Sequence, residues 1–569
     1  MSREEASVVS AATDTVNANA PVDSSPSVEK AQPAVAIPAQ DEFPGTAKVI
    51  SIMTCVYGIM FLGGLDRTIV STATPAITNE FHSLGDVGWY GSAYLIAATA
   101  FVPFIGKIYR QYDPKWVFIA TFLLFEIGSV VCGAANSSVT FIVGRAIAGL
   151  GNGGSFTGMM TIMVYIIPLH KRPMYQAIGG LSIGVTSVLG PLIGGAFTTD
   201  VSWRWCFYIN LCVGMPFVGY LVFFLKLPNM PKKDRQSFRE QCRKLDPAGT
   251  TVFIGSITSL LLAVQWGGST YAWSNGRIIA LFVVFGVTMP IFVWIQHLAG
   301  EDASMPLRII TQRSVALATI YATLVGGSLT SLIYYVPLWF QAVENVSAIE
   351  SGVRTIPMML AMMLGALLAG AFVRRQGYYV PPMILAGVLS PIGAGLVSTF
   401  WLDTSEGKWI GYQIIYGFGI GVGLQQTGLA IQAVLDRKDV PIGGAFNFFG
   451  MGLGGGIFVS VTDNIFINQF AANLKGIPNL PPDFAKDAGA TALRKLVPAD
   501  ELHQVLVAYN GALKDCFYVG VALAALLGPV ALGMEWKDIR KKPQGQTKSA
   551  AVPADSGDKK DETVKGGEV

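Results

Sequence analysis

GRAIAGLGNGG, residues 144–154, and GFGIGVGLQQ, residues 417–426, are glycine strings set inside apolar runs in different halves of the chain. Each is followed by a second string, GGLSIGVTSVLGPLIGG (179–195) after the first and GGAFNFFGMGLGGG (443–456) after the other. The turns ahead of them also correspond, with Gly106 and Lys107 in one half and Gly370, Arg374, Arg375 and Gly377 in the other. Without side chains, two helices touch at the backbone. Each string therefore predicts a close helix contact, either static packing or a surface that slides. The same elements recurring in the same order predict a duplicated helical fold.

The composition agrees. Of 569 residues only 14% are charged, against roughly 25% in a soluble protein. Hydrophobic residues make up 51% and mean hydropathy is +0.48. Their placement decides the class: the apolar residues fall in blocks of about twenty, the length that spans a bilayer as a helix. A soluble enzyme and a disordered chain are excluded, and an all-α polytopic membrane protein remains. A formal charge of +3 is too small and scattered for nucleic-acid binding. Six cysteines without a CxxC pair read as buried free thiols.

Fourteen candidate spans lie near 47–69, 87–106, 116–135, 139–168, 175–198, 206–226, 247–266, 277–297, 314–340, 352–373, 380–400, 409–434, 441–468 and 515–534. Lysines and arginines cluster after every second span: Lys107, Arg110 and Lys115; Lys171 and Arg172; Lys232 to Lys244; Arg308 and Arg313; Arg374 and Arg375; Arg437 and Lys438; Lys537 to Lys542. The loops after spans 1, 3 and 9 have none. Positive loops stay in the cytoplasm, so the alternation supports fourteen crossings with both termini cytoplasmic. The expected organisation is a disordered tail over 1–45, a six-span half over 46–226, and a basic loop with inserted spans 7 and 8 over 227–298. A second six-span half with a long outer loop (470–513) follows over 299–536, then a disordered tail over 537–569. Duplicated halves around a midplane site are a common design of secondary transporters. In the outer loop, Pro498, Asp500 and Glu501 open a short helix, and Val505, Leu506, Tyr509 and Leu513 recur at helical spacing. The sequons at Asn136 and Asn345 fall on the expected outer side and are glycosylation candidates.

Charge inside the spans points to a site. Asp66 and Arg67 are in span 1, Glu126 in span 3, Arg145 in span 4 and Asp463 in span 13. Each costs about 2.5–3.5 kcal/mol or more facing lipid, so each should face a cavity, pair, or lie near an interface. Adjacent Asp66 and Arg67 point about 100° apart. Arg145 is the partner for Asp66 or Glu126, either as a fixed pair or as part of a proton or substrate path. For Asp463 a position at the interface is expected. Tyr94, Phe156, Tyr335, Trp339 and Phe449 are aromatics in segments able to line a central cavity, with Gln425 and Gln426 as polar contacts. No Walker A string is present, and His82, His170, His297 and His503 form no metal-ligand pattern. No metal and no cofactor are expected.

LDRTIVSTATPAIT (65–78) followed by WYGSAYLI (89–96) resembles the start of drug:proton antiporters of the major facilitator superfamily. GRAIAGLGNGG resembles that superfamily's span-4 motif, and GLSIGVTSVLGPLIGG its span-5 antiporter motif. WRWCFYIN (203–210) is typical of the fourteen-span branch, and YYVPLWFQAVENVSAIESGVRTIP (334–357) is similar to fungal toxin and multidrug efflux pumps. The resemblance covers about residues 47–535. It implies a major facilitator fold of two six-helix halves plus two inserted helices. The implied activity is efflux of small, mostly apolar organic molecules, such as a fungal secondary metabolite, mycotoxin or drug, in exchange for protons. Asp66, Glu126 and Arg145 then handle the proton, and Gly184, Gly190, Pro191, Gly194 and Gly195 form the conformational motif. The implied partners are substrate, protons and lipid, the implied state a monomer. The implied location is the plasma membrane, with vacuole or vesicle as alternatives. The sequence departs from the pattern at GKIYRQYDPK (106–115), where Arg110 and Gln111 stand in place of an Asp and an Arg, and at Asp463, where an uncharged polar residue is usual. Siderophore or other metabolite uptake and a non-transporting membrane sensor are the alternatives; the Gly-Pro motif and the duplicated motifs argue against them.

Overall fold

The computed structural model describes residues 43–540 except 84–85, 228–239, 242–243, 269, 476, 478–496 and 499. Nearly all of both expected tails, most of the basic 227–245 loop and the first part of the outer-loop helices lie outside the described residues. Fourteen long helices are present among the described residues. They are α1 (Thr46–Phe81), α2 (Val87–Gln111), α3 (Pro114–Gly133), α4 (Ser138–Ile166), α5 (Arg172–Asp200), α6 (Trp205–Phe224), α7 (Pro247–Trp266) and α8 (Gly276–Ala299). After the short Leu307–Ile310 come α9 (Arg313–Ala342), α10 (Ile356–Gln376, preceded by Ala348–Arg354) and α11 (Val380–Val397). The last three are α12 (Glu406–Leu424, continued by Gln426–Val434), α13 (Val440–Asn473) and α14 (Leu502–Ala525, continued by Leu527–Leu532). Thirteen are long and apolar enough to cross a membrane. The other is α4, 29 residues long, whose glycines, Asn152 and Arg145 lower its apolarity.

Local signals set several starts. The Asp113 side chain accepts from the Lys115 amide with Pro114 next in line, and Asp246 accepts from Gly249 with Pro247 likewise placed. An acidic cap followed by proline satisfies an orphan N–H and pre-sets φ for the first turn. Ser137 caps α4 through the Thr140 amide.

Two boundaries differ from the sequence reading. α1 runs on to Phe81, past the expected end near 69, with Pro75 inside it. The extension is held because Ile77 and Thr78 are buried and Glu80 accepts from Trp203 Nε1 at 2.6 Å. The expected outer loop over 470–513 is shorter, because α13 continues to Asn473 and α14 begins at Leu502 with Glu501 at its N-cap. Val505, Leu506, Tyr509 and Leu513 are all buried, so this segment is the first turns of the last span. Its apolar stripe packs on Phe466 and Phe470 of α13 through Tyr509.

The duplication is visible in which helix each glycine touches. α4 lies between α2 and α3, and α12 between α10 and α11. A Cβ on Gly153 would meet the Ala98 carbonyl of α2 at 2.8 Å, and one on Gly151 the Thr121 carbonyl of α3 at 2.7 Å. Gly417 and Gly421 meet the Met358 and Met362 carbonyls of α10, and Gly419 meets Ser390 of α11. Likewise α5 packs on α1 through Gly190 and Gly194, and α13 on α9 through Gly450 and Gly454. Helices α1–α6 form one bundle and α9–α14 the other.

The pair α7–α8 sits at the side. α7 packs against both α2 and α13, and α8 packs on α7. The outer face of α8 exposes Val283, Val287, Trp294 and Leu298, as a lipid-facing helix should. A buried polar junction joins this pair to the second bundle. Asp246, at φ 51°, accepts from Gly249 N, from Gln296 Nε2 at 2.7 Å and from Ser304 N at 3.0 Å, while Gln296 Oε1 accepts from Met305 N at 2.8 Å. A side chain at position 249 would collide with Asp246 and Gln296, so glycine is required there.

Candidate functional site

The buried centre of the first bundle is one polar network. Asp66 Oδ2 accepts from Arg145 Nη1 at 2.6 Å, and Asp66 Oδ1 accepts from Asn210 Nδ2 at 3.2 Å. Arg145 also donates from Nε to the Tyr90 carbonyl at 2.9 Å, and its guanidinium lies 4.4 Å from the centre of the Tyr94 ring. Tyr94 donates to the Gly63 carbonyl, and Asn210 donates to Ser129 Oγ. Five helices thus contribute to the network around Asp66: its own α1, then α2, α3, α4 and α6. Asp66 is fully buried and Arg145 is 1% exposed. A buried charge pair is tolerated when further hydrogen bonds satisfy the remaining lone pairs and donors. Asn210 and Tyr90 do that here.

Of the two acids the sequence offers Arg145, the structure selects Asp66. Glu126, 2% exposed, points between α3 and α6, next to Gly214 and Phe122. Neither of its oxygens has a hydrogen-bond partner among the described residues. It is one turn before Ser129 on α3, and Ser129 reaches Asp66 through Asn210. Glu126 therefore adjoins the network without pairing to the arginine. Asn210 and Ser129 were not among the site candidates. Asn210 and Tyr90 each left a trace in the sequence, as the polar end of WRWCFYIN and within WYGSAYLI.

A cavity wall begins one turn away. Along α1, Val56, Met60 and Gly63 are buried, whereas Arg67, Ser71 and Pro75 are exposed. A stripe of this polarity in mid-helix faces water, not lipid. It ends at Gly63 and Gly64, which touch Asn152 of α4 and Thr186 of α5. In the second bundle, Tyr334 of α9 is 50% exposed and Asp463 of α13 is half-buried. Both are nevertheless surrounded by protein, as residues lining an internal space are. Asp463 is half-buried beside Tyr334. No ion pair joins it to a described residue.

The other pocket candidates divide. Phe156 of α4 packs at a tilt against Phe448 of α13 with centroids 4.4 Å apart, and Gln425, at the break in α12, faces Gly180 of α5. These two bridge the bundles. Tyr94 belongs to the buried network. Tyr335 and Trp339 are core residues of the second bundle: the indole of Trp339 donates to Asn510 Oδ1 at 2.8 Å and its ring packs on Phe400. Gln426 is buried, with Oε1 unpartnered among the described residues. Phe449 turns away from the centre onto Phe253 of α7. Tyr335, Trp339 and Phe449 are buried, whereas the neighbouring Tyr334 is exposed. Asn136 and Asn345 are exposed at the face opposite the basic loops.

The basic-loop face is shut. Gly106 of α2 abuts Pro441 and Ala445 of α13, and Gly370 of α10 abuts Pro173 and Ala177 of α5. Asp439, at the N-terminus of α13 with a fully buried side chain, pairs with Arg110 of α2 at 3.3 Å and Arg308 at 2.9 Å. Glu301 completes the ring, at 3.4 Å from Arg110 and 2.9 Å from Arg308. Lys107 donates to the Asp302 carbonyl. The hydrogen bonds that Arg308 donates to Glu301 and Asp439 hold it above its ordinary pKa, so it stays cationic throughout the physiological range. Arg110 breaks the family's loop pattern, and the structure gives the reason: its acid comes from the opposite bundle.

Two helical bundles that close on one face, one of them built around a buried ion pair, have the build of a secondary transporter. Residues 56–459 match the family model described as Major Facilitator Superfamily, and the chain belongs to that superfamily. It is 46% identical over 495 residues to the efflux pump aflT of Aspergillus parasiticus, covering 87% of this chain and 96% of that one. It is 47% identical over 499 residues to the MFS-type transporter VdtG of Byssochlamys spectabilis, covering 88% and 90%. The rubrofusarin-specific efflux pump aurT of Gibberella zeae is 41% identical over 501 residues, covering 88% and 92%. Among solved structures, the proton:xylose symporter XylE bound to 6-bromo-6-deoxy-D-glucose has a TM-score of 0.56 at 12% identity, covering 87% of this chain and 99% of that one. That likeness concerns the fold alone.

Proposed function

We propose that this chain exports small, mostly apolar organic molecules, of the kind fungi make as secondary metabolites or meet as toxins and drugs, in exchange for protons. The observation that carries the reading is the placement of Asp66. It is adjacent in sequence to the exposed stripe of α1 and faces the other way, into the Arg145 network. One helix thus touches both the substrate space and a carboxyl group able to carry a proton. The names of the relatives supply the direction of transport. Asp66, with Arg145 as its electrostatic partner and Glu126 as a second carboxyl nearby, is the proposed proton path. The loop charges support cytoplasmic termini, and the proposed setting is a monomer in the plasma membrane.

The test is transport by the purified chain in vesicles. With an imposed pH difference, a fluorescent apolar dye should move against its gradient toward the acidic side, and dissipating the pH difference should stop it. A rate that ignores the pH difference sinks the proton-antiport reading. For orientation, a cysteine at position 233 should resist an impermeant thiol reagent applied to intact cells; efficient labelling there would reverse the topology.

A further inference from the structure

We propose that Arg67 anchors an oxyanion of the transported molecule, so that the preferred substrates are organic acids carrying a carboxylate or an ionised phenol. This names a substrate class for the export reading above and rests on it.

The argument starts from where Arg67 points. On α1, Gly63 touches Asn152 of α4, Gly64 touches Thr186 of α5, and Thr68 donates to the Thr186 carbonyl at 2.9 Å. At 100° per residue, position 67 falls between the directions of Gly63 and Gly64. Its side chain therefore enters the gap between α4 and α5. Both of those helices meet the other bundle, α4 through Phe156 on Phe448 and α5 through Gly184 on Met363. The gap thus opens on the space between the bundles. Arg67 is exposed although protein surrounds it, which fits a cavity wall and excludes the outer, lipid-facing surface.

Second, Arg67 has no counter-ion. Asp66 is the nearest acid in sequence, but both its oxygens serve Arg145 and Asn210 on another face of α1. No hydrogen bond, ion pair or cation–π contact joins Arg67 to a described residue. A guanidinium in mid-membrane costs several kcal/mol unless water or an anion attends it, so it is unlike the satisfied Arg145 a turn away. Its planar fork fits the two oxygens of a carboxylate, or a phenolate beside a carbonyl. Asn152 is half-buried on the same side. Together Arg67 and Asn152 offer a cation and an amide to an acidic molecule.

Equilibrium binding to the full chain in lipid nanodiscs tests this, with anthracene-9-carboxylate and its uncharged methyl ester as probes. Wild type should bind the carboxylate about tenfold or more tightly than the ester, the scale of a charge-assisted hydrogen bond. Arg67→Gln should remove that preference and leave ester binding within about twofold. Should Arg67→Gln bind neither probe, Arg67→Lys decides: a weakened preference supports the anchor and an unchanged one overturns it. Equal affinity of wild type for both probes, no binding of either, or a preference that survives in Arg67→Gln would each overturn it. Because binding is read without transport, a discriminating protein that exports nothing would count against the export reading and not against the anchor.

Discussion

Asp66 and Arg145 meet at 2.6 Å in a part of the protein that water does not reach. Charges buried this way are held by geometry, and losing one partner strands the other at a cost of about 3–5 kcal/mol. Arg145→Met should therefore lower the thermal midpoint of the purified protein sharply. Asp66→Asn keeps the shape but leaves the Arg145 charge uncompensated, so it too should melt lower, by about 3–5 kcal/mol, while the folded protein binds substrate and fails to accumulate it under an imposed pH difference. Fluorescence-monitored melting and vesicle uptake read the two effects separately. Wild-type melts in both variants, or full coupling in Asp66→Asn, would contradict the assignment. The sequence narrowed the partners of Arg145 to two acids and could go no further. The choice depends on azimuth: Asp66 turns toward α4, while Glu126 turns toward α6.

The glycine motif of α5 splits into two functions along one helix. A Cβ on Gly190 would approach Thr68 Cβ to 2.7 Å, inside the first bundle, where α1 and α5 are already tied by the Thr68 hydroxyl. Gly194 likewise rests on α1, Gly195 has open space around it, and Pro191 is carried within the helix. Gly184 instead meets Met363 Sδ at 2.8 Å, across the boundary between bundles. Gly190→Val should thus damage the first bundle itself, reducing folded yield or melting temperature. Gly184→Val pushes on a flexible methionine, so the protein should fold and transport should fall by about tenfold or more as the moving contact is wedged. Measuring folded yield with transport for both variants checks the division; the reverse pattern refutes it. Sequence spacing marked all these glycines alike, because it does not say which neighbour each one faces.

For the molecule as a whole, the described state is shut on the basic-loop face, and the α1 stripe opens toward the other. Asp439 holds the shut face by drawing Arg110 and Arg308 to one buried carboxylate at the positive end of α13. Asp439→Asn should weaken that closure by about 1–2 kcal/mol, roughly a tenfold shift toward the state open on the basic side. Spin labels at exposed positions 171 and 374, one on each bundle, should then show a larger long-distance population in pulsed electron resonance. Identical distance distributions would remove Asp439 from the closing contact.

Span number, helical class, duplication and family were legible in the chain because bilayer thickness, loop charge and backbone contact each leave a one-dimensional mark: block length, alternation and glycine spacing. The end of α1 and the start of α14 were not, since a helix continues wherever its neighbours cover it, as Trp203 covers Glu80 and α13 covers Tyr509. The buried charges were legible as a set, because a charge in an apolar run is conspicuous. Their roles were decided only in three dimensions, where rotation of each helix satisfied Arg145, left Arg67 facing the open space, and turned Trp339 into the core.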